Sequence, residues 1–324
     1  MNASIIIPCY NAEQSISETL CALEKNSMKA FEIIVVDDGS TDSTANIVKS
    51  IAKKNKNIMY LWQKNSGPAK ARNFGAKIAK GEVVLFIDSD CIPKKNWLKE
   101  MIKPFNNKKV GGVQGAYTTN QKELIAKFVQ IEIEERYEKM KKAEMNGTLD
   151  WIGSYSAAYR RGIYKELGGF DESFPIASGE DPELSYRLKE SGYMIKFNPN
   201  AIVYHTHPNN LFKYLKTKFM RAYYRPKMYS KHKKKIIKDS YTPQELKLQI
   251  VLIYALIPSI ITSLFSPLGL IVTAIILGLH IVLGVKFFLF AWKKNKAIAI
   301  ASIALLFLRN IYFSTGLIMG VIKK

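Results

Sequence analysis

Val83-Val84-Leu85-Phe86-Ile87-Asp88-Ser89-Asp90 is an unbroken apolar run that ends in two carboxylates one residue apart. Such a run reads as a strand covered on both faces, because a half-exposed strand would alternate apolar with polar side chains. Ile33-Ile34-Val35-Val36 reads the same way and ends in Asp37-Asp38. Strand-like segments at 4–9, 31–37, 58–62 and 83–88 alternate with helix-like ones at 13–25, 41–53 and 69–80. That order predicts an α/β fold with a mostly parallel central sheet flanked by helices. Ligands of such sheets sit beyond the carboxyl ends of the strands, where this sequence places Tyr10-Asn11, Asp37-Asp38 and Asp88-Ser89-Asp90. A helix over 95–105, a strand over 110–117, a long charged helix over 123–142 and a less regular region over 151–208 follow.

The rest of the chain belongs to another solvent. Of 324 residues, 48% are hydrophobic, and from Leu248 to Ile322 the sequence is almost wholly apolar. Segments 248–265, 268–290 and 297–322 each approach the roughly 20 residues that cross a bilayer core. The formal charge of +21 gathers ahead of them, in Lys213, Lys216, Arg225, Lys227, Lys231, Lys233, Lys234 and Lys235 among others. With Lys293-Lys294-Asn295-Lys296, this basic segment falls on the cytoplasmic side of a three-span arrangement. It reads either as attraction to anionic membrane lipids or as a solvated loop that only sets topology. Nucleic acid is excluded as a partner because no nucleic-acid-binding module is visible. Phe212, Leu215, Phe219 and Tyr223 recur at helical spacing among lysines, as in a helix that lies in the membrane interface or packs on the soluble part. Arg309-Asn310 near mid-span is expected either to pair inside the bundle or to meet a lipid phosphate. Met1-Asn2-Ala3 runs straight into a core strand, so no secretory signal is expected and the N-terminal domain is expected in the cytoplasm. Cys9, Cys21 and Cys91 lack metal-ligand spacing and read as reduced and structural.

Paired carboxylates at a strand end suit Mg2+ or Mn2+, hard cations that also take phosphate oxygens. Alternate residues of an extended chain point to one side, so Asp88 and Asp90 are expected to converge. By itself the triplet is as readily a turn or a cap, and its neighbours give it weight. Ser4-Ile5-Ile6-Ile7-Pro8-Cys9-Tyr10-Asn11-Ala12-Glu13, Glu32-Ile33-Ile34-Val35-Val36-Asp37-Asp38-Gly39-Ser40, and Asn65-Ser66-Gly67-Pro68-Ala69-Lys70-Ala71-Arg72-Asn73 running on to Asp88-Ser89-Asp90 resemble the signature series of family 2 glycosyltransferases of the GT-A fold. The resemblance covers about 2–208, block by block in family order. It implies that Pro8 shapes the first strand end, Tyr10 and Asp38 flank the nucleobase, and Arg72 and Asn73 brace the substrate. Asp88 and Asp90 would serve ribose and metal.

The same resemblance extends through Trp151-Ile152-Gly153-Ser154-Tyr155-Ser156, Gly168-Gly169-Phe170-Asp171 and Gly179-Glu180-Asp181-Pro182-Glu183. It places Gly153 and Glu180 at the substrate and makes Asp181 the general base. An Asn is common in the family where Ser156 stands. Read without the family, Glu180-Asp181-Pro182-Glu183 is also a good helix start, with acids in the first turn. His205, in Tyr204-His205-Thr206-His207-Pro208, would complete the metal shell or touch the diphosphate. Polymerising relatives carry Gln-x-x-Arg-Trp shortly afterwards. Lys218-Phe219-Met220-Arg221-Ala222 keeps only the arginine, which argues against a processive enzyme and leaves Arg221 for the donor's diphosphate.

The expectation is therefore a GT-A catalytic domain over 1–208, a basic amphipathic connector over 209–247 and a membrane region over 248–324. Its activity would be inverting, metal-dependent transfer of one sugar from a UDP, GDP or dTDP sugar to a lipid-linked saccharide. The alternatives are a polyprenyl-phosphate sugar synthase and a membrane-tethered scaffold on a dead catalytic domain.

Overall fold

The computed structural model describes Met1–Lys323, which form two units. The first comprises Met1–Asn120 and Met140–Thr206, and the second comprises Gln121–Lys139 and the chain from His207 on. The elements in chain order are β1 (Ala3–Cys9), α1 (Ile16–Glu24), β2 (Glu32–Asp37), α2 (Thr44–Lys54), β3 (Ile58–Trp62), α3 (Pro68–Ile78), β4 (Val83–Ile87) and β5 (Ile92–Pro93). Then come α4 (Trp97–Ile102), β6 (Val110–Thr118), α5 (Leu124–Met145), β7 (Ser156–Arg160), α6 (Arg161–Glu166), α7 (Glu180–Glu190) and β8 (Met194–Tyr204). The chain continues as α8 (Leu211–Lys231), α9 (Gln244–Ser263), α10 (Pro267–Trp292) and α11 (Lys296–Ile322).

The first unit is built on an eight-stranded mixed sheet in the order β3-β2-β1-β4-β7-β6-β8-β5. Its parallel half, β3-β2-β1-β4, is the part predicted from the apolar runs. Every residue of β1, β2 and β4 is buried, which is why those runs do not alternate. Ser4, polar in this setting, donates to Glu32 at 2.6 Å and accepts from the Gly81 amide at 2.8 Å. β7 joins antiparallel to β4, placing Ile87 opposite Ser156. β7 also pairs with β6, and β6 runs parallel to β8.

The second unit is helical. α9, α10 and α11 are each long and apolar enough to cross a membrane. Its interior carries a polar seam. Glu132 accepts from Lys218 at 2.9 Å, from the Tyr214 hydroxyl at 3.1 Å and from Arg309 at 2.7 Å. Arg309 also donates to Asn310 at 3.0 Å, and Asn310 donates to Gln249 at 3.1 Å. Of the two expectations for Arg309, pairing within the protein is the one observed.

Candidate functional site

β4 stops at Ile87, and Asp88-Ser89-Asp90-Cys91 form a tight turn closed by the Cys91 amide on the Asp88 carbonyl at 3.1 Å. The two carboxylates are thus gathered by a turn rather than by strand alternation. The Thr19 hydroxyl pins the turn by donating to the Ser89 carbonyl at 2.9 Å. β5 follows at once and pairs antiparallel with β8, with Ile92 opposite Tyr204. One step back along that register sets Cys91 across from His205, and Asp88, Asp90, Cys91 and His205 offer ligand atoms within 4.8 Å of one another. His205 Nε2 lies 3.8 Å from Asp90 Oδ2, and its ring stacks on Tyr117 with centroids 5.3 Å apart.

Two carboxylates and an imidazole suit a hard divalent cation that keeps positions open for phosphate oxygens. The Asp90 side chain is 45% exposed. Burial pushes the Cys91 thiol well up, and the charges of Asp88 and Asp90 add to the effect. A sulfur is also a soft ligand, poorly matched to so hard an ion.

Arg72, on α3, is 2% exposed and joins two parts of the site. Its guanidinium donates to Asp88 at 3.1 Å and to Glu180 at 3.0 Å. Glu180 and Asp181 open α7, where a left-handed residue is required, and Gly179 supplies it with φ of 119°. Glu180 also accepts from the Ser178 amide at 2.7 Å. Burial, and then the neighbouring Asp181 charge, push its carboxyl up to about 7. Asp181 Oδ2 accepts from the Ser154 amide at 3.1 Å and the Ser154 hydroxyl at 3.2 Å, while Oδ1 is buried with no hydrogen-bond partner. Burial raises the Asp181 carboxyl above its ordinary range, opposed by Arg72.

The remaining expected residues fall in several settings. Pro8 is buried in β1, and Tyr10 stands 52% exposed just beyond it. Asp38 accepts from Gln63 at 2.7 Å and from the amides of Ser66 and Gly67 at 2.8 Å each, so its carboxylate anchors the loop that starts α3. Asn73 accepts from the Tyr164 hydroxyl at 2.6 Å and the Phe170 amide at 2.9 Å, and donates to the Phe170 carbonyl and Glu172 at 2.9 Å each. Its amide is spent on holding the 164–172 segment. Gly153 donates its amide to Gln114, and Ser156 accepts from the Trp97 indole at 2.9 Å inside the core. Arg221 belongs to the second unit and is exposed on α8.

Sequence reasoning passed over Ser154, the residue that orients Asp181, and the bridge Arg72 makes between Asp88 and Glu180. The first had a signal, a hydroxyl next to Gly153, which was expected at the substrate. The second had none, since its partner Glu180 lies 108 residues away.

The sequence model of Glycosyl transferase family 2 matches residues 4–168, half of the chain. The chain belongs to that family. Among curated proteins, the chain is 28% identical over 211 residues to a poly-beta-1,6-N-acetyl-D-glucosamine synthase of Staphylococcus aureus, covering 64% of this chain and 50% of the relative. It is 32% identical over 222 residues to YdaM, a probable glycosyltransferase of Bacillus subtilis, covering 63% and 50%. It thus spans about half the length of these relatives. Among solved structures it is similar to the mannosyltransferase PcManGT of Pyrobaculum calidifontis, with a TM-score of 0.60 and 19% identity over 99% of this chain and 86% of that one. This likeness shows the GT-A fold of the family 2 domain followed by apolar helices.

Proposed function

We propose that this glycosyltransferase moves one sugar per binding event from a nucleotide-diphosphate sugar to a hydroxyl of a lipid-linked saccharide, inverting the anomeric carbon. The observation that carries this reading is Asp181. A general base for a hydroxyl needs a partly desolvated carboxylate with a free acceptor oxygen, and the buried, unpartnered Oδ1 meets that need. Oδ1 takes the hydroxyl proton while the hydroxyl oxygen bonds to the anomeric carbon. The bond from that carbon to the diphosphate breaks, and the diphosphate leaves with the electron pair. One displacement with one base inverts the centre. Ser154 fixes the rotation of Asp181, and Arg72 holds Glu180 and Asp88 in register beside it.

Asp88, Asp90 and His205 would hold Mg2+ or Mn2+, and such a cation neutralises charge on the departing diphosphate when bound. The Pyrobaculum mannosyltransferase, solved with GDP-Man and Mn2+, supports a donor and cation of that kind. Transfer of single sugars is supported by the counterpart of the polymerising motif. Lys218 is committed to Glu132, and Ala222, where that motif has a tryptophan, is fully buried against Phe313. A lipid-linked acceptor and a cytoplasmic membrane face suit the apolar helices and the basic segment before them. The same segment suits anionic headgroups.

A screen of UDP, GDP and dTDP sugars against lipid-linked saccharides, scored by nucleotide diphosphate release, tests this reading. Release is expected with one donor class and is expected to stop in EDTA. Release that survives complete removal of divalent cations would overturn the role given to Asp88, Asp90 and His205.

A further inference from the structure

α11 is long and apolar enough to cross a bilayer, but its neighbours do not suit a crossing helix. At its midpoint Arg309 donates to Glu132 at 2.7 Å. Glu132 sits on α5 within the run Glu132-Ile133-Glu134-Glu135-Arg136-Tyr137-Glu138-Lys139, a sequence that hydrocarbon would not admit. Farther along, α11 meets the backbone of α8. A Cβ on Gly316 would stand 2.5 Å from the Phe219 carbonyl oxygen, and one on Gly320 would stand 2.0 Å from that of Tyr223. These are successive turns of both helices in the same order, so the last third of α11 lies along α8. α8 in turn exposes Lys213, Lys216, Arg221 and Lys231. A helix that exposes four cations stays out of hydrocarbon, and the helix seated on its backbone stays at the same depth.

The distribution of charge points the same way. Between Lys247 and Lys286 the sequence has no charged side chain, and this stretch holds most of α9 and α10. Three crossings would leave Arg309 in mid-bilayer and carry Lys323 to the side opposite the basic segment. Two apolar helices joined as a hairpin keep all these cations on one side, the arrangement that positive-inside bias favours. The hairpin tip suits insertion: Leu264, Phe265 and Leu268 are 75%, 84% and 67% exposed.

We propose that α11 does not cross the membrane. α5 and α8 hold it on the side where α8 displays its cations, and the unit enters the bilayer through the α9–α10 hairpin alone. The exposed Ile318, Met319 and Val321 of α11 then face the acyl chains of the near leaflet. This arrangement stands whatever sugar the first unit transfers.

The test uses the full chain, expressed in a bacterial host with one epitope tag before Met1 and another after Lys324. Because all three candidate spans begin at or after Gln244, the first tag reports the side on which α8 stands. Protease is added to intact spheroplasts and to sealed inverted vesicles, and both tags are followed by immunoblot. The two tags are expected to survive together in spheroplasts and to vanish together in inverted vesicles. Loss of the C-terminal tag from spheroplasts while the N-terminal tag survives would overturn the proposal.

Discussion

Ser154 grips one oxygen of Asp181 through its amide at 3.1 Å and its hydroxyl at 3.2 Å, and the other oxygen stays buried with no hydrogen-bond partner. With one oxygen held and the other without a partner, Asp181→Asn is the sharpest test of the proposed base. The amide keeps the shape of the carboxylate but cannot take a proton. Transfer to a hydroxyl acceptor is expected to fall about 10²- to 10⁴-fold, the usual contribution of a general base, with donor affinity unchanged. Initial rates of nucleotide diphosphate release and donor binding by calorimetry check both halves. Undiminished transfer would show that Asp181 is not the base, and would point to an ionised acceptor such as a lipid phosphate.

The same contact sets a pH dependence. As the proposed base Asp181 would act only when ionised, so the rate is expected to fall as pH drops through its raised pKa. The Ser154 hydroxyl stabilises the ionised form, and its removal must raise that pKa further. Ser154→Ala is therefore expected to move the acid limb of kcat/KM toward higher pH. Near neutral pH the variant should be slower by roughly tenfold, about the worth of one hydrogen bond to a charged group. A limb that stays in place would show that the hydroxyl does not act through Asp181.

Arg72 gives a prediction about stability. It stands between Glu180, whose side chain is 1% exposed, and Asp88, at 30%. Removing one partner of a buried pair costs about 3–5 kcal/mol because the other charge is left uncompensated. The sign with pH follows from Glu180, raised from 4.5 to about 7. Its contribution to stability is fully present below pH 4.5 and is lost as pH rises through about 7. Arg72→Met should accordingly be most damaging at pH 8, where Glu180 is charged, and milder at pH 5, where it is neutral. At about 3 kcal/mol, the apparent melting temperature in detergent should drop by roughly 6–12 °C at pH 8. An equal drop at both pH values would remove Glu180 from the explanation.

Much of this was legible in the sequence because it depends on local pattern. The apolar runs named β1, β2 and β4, and the carboxylates that follow β4, Asp88 and Asp90, stand together with His205. What the sequence left unread was tertiary. Ser-Ala-Ala-Tyr-Arg, which forms β7, has no β-branched residue; it is a strand because β4 and β6 pair with both its edges. The stretch over 151–208 looked irregular for the same reason, although it holds β7, α6, α7 and β8. The expected helix over 95–105 ends at Ile102 in a 3-10 turn, Lys103–Asn106, because Pro104 cannot supply the next helical amide. Nothing in a linear pattern shows that Gln63, Ser66 and Gly67 donate to Asp38, or that Tyr164 and Phe170 donate to Asn73.

The packing of α11 on α8 is open to a matched pair of substitutions. Gly320 faces a backbone carbonyl that cannot move aside, with a Cβ placed 2.0 Å from Tyr223 O. Gly278, on α10, has nothing within 4 Å of an added Cβ. Alanine at 320 must push the helices apart, an overpacking cost of about 1–3 kcal/mol. At 278 the same methyl meets open space and removes a flexible residue from a helix interior, a change worth about 0.5–1 kcal/mol in the stabilising direction. Apparent melting temperatures of the detergent-solubilised variants should therefore move in opposite directions, down for Gly320→Ala and level or up for Gly278→Ala. If Gly320→Ala melted with the wild type, the close contact of α11 with α8 would not exist in the folded protein, and the helix would be free to take another path.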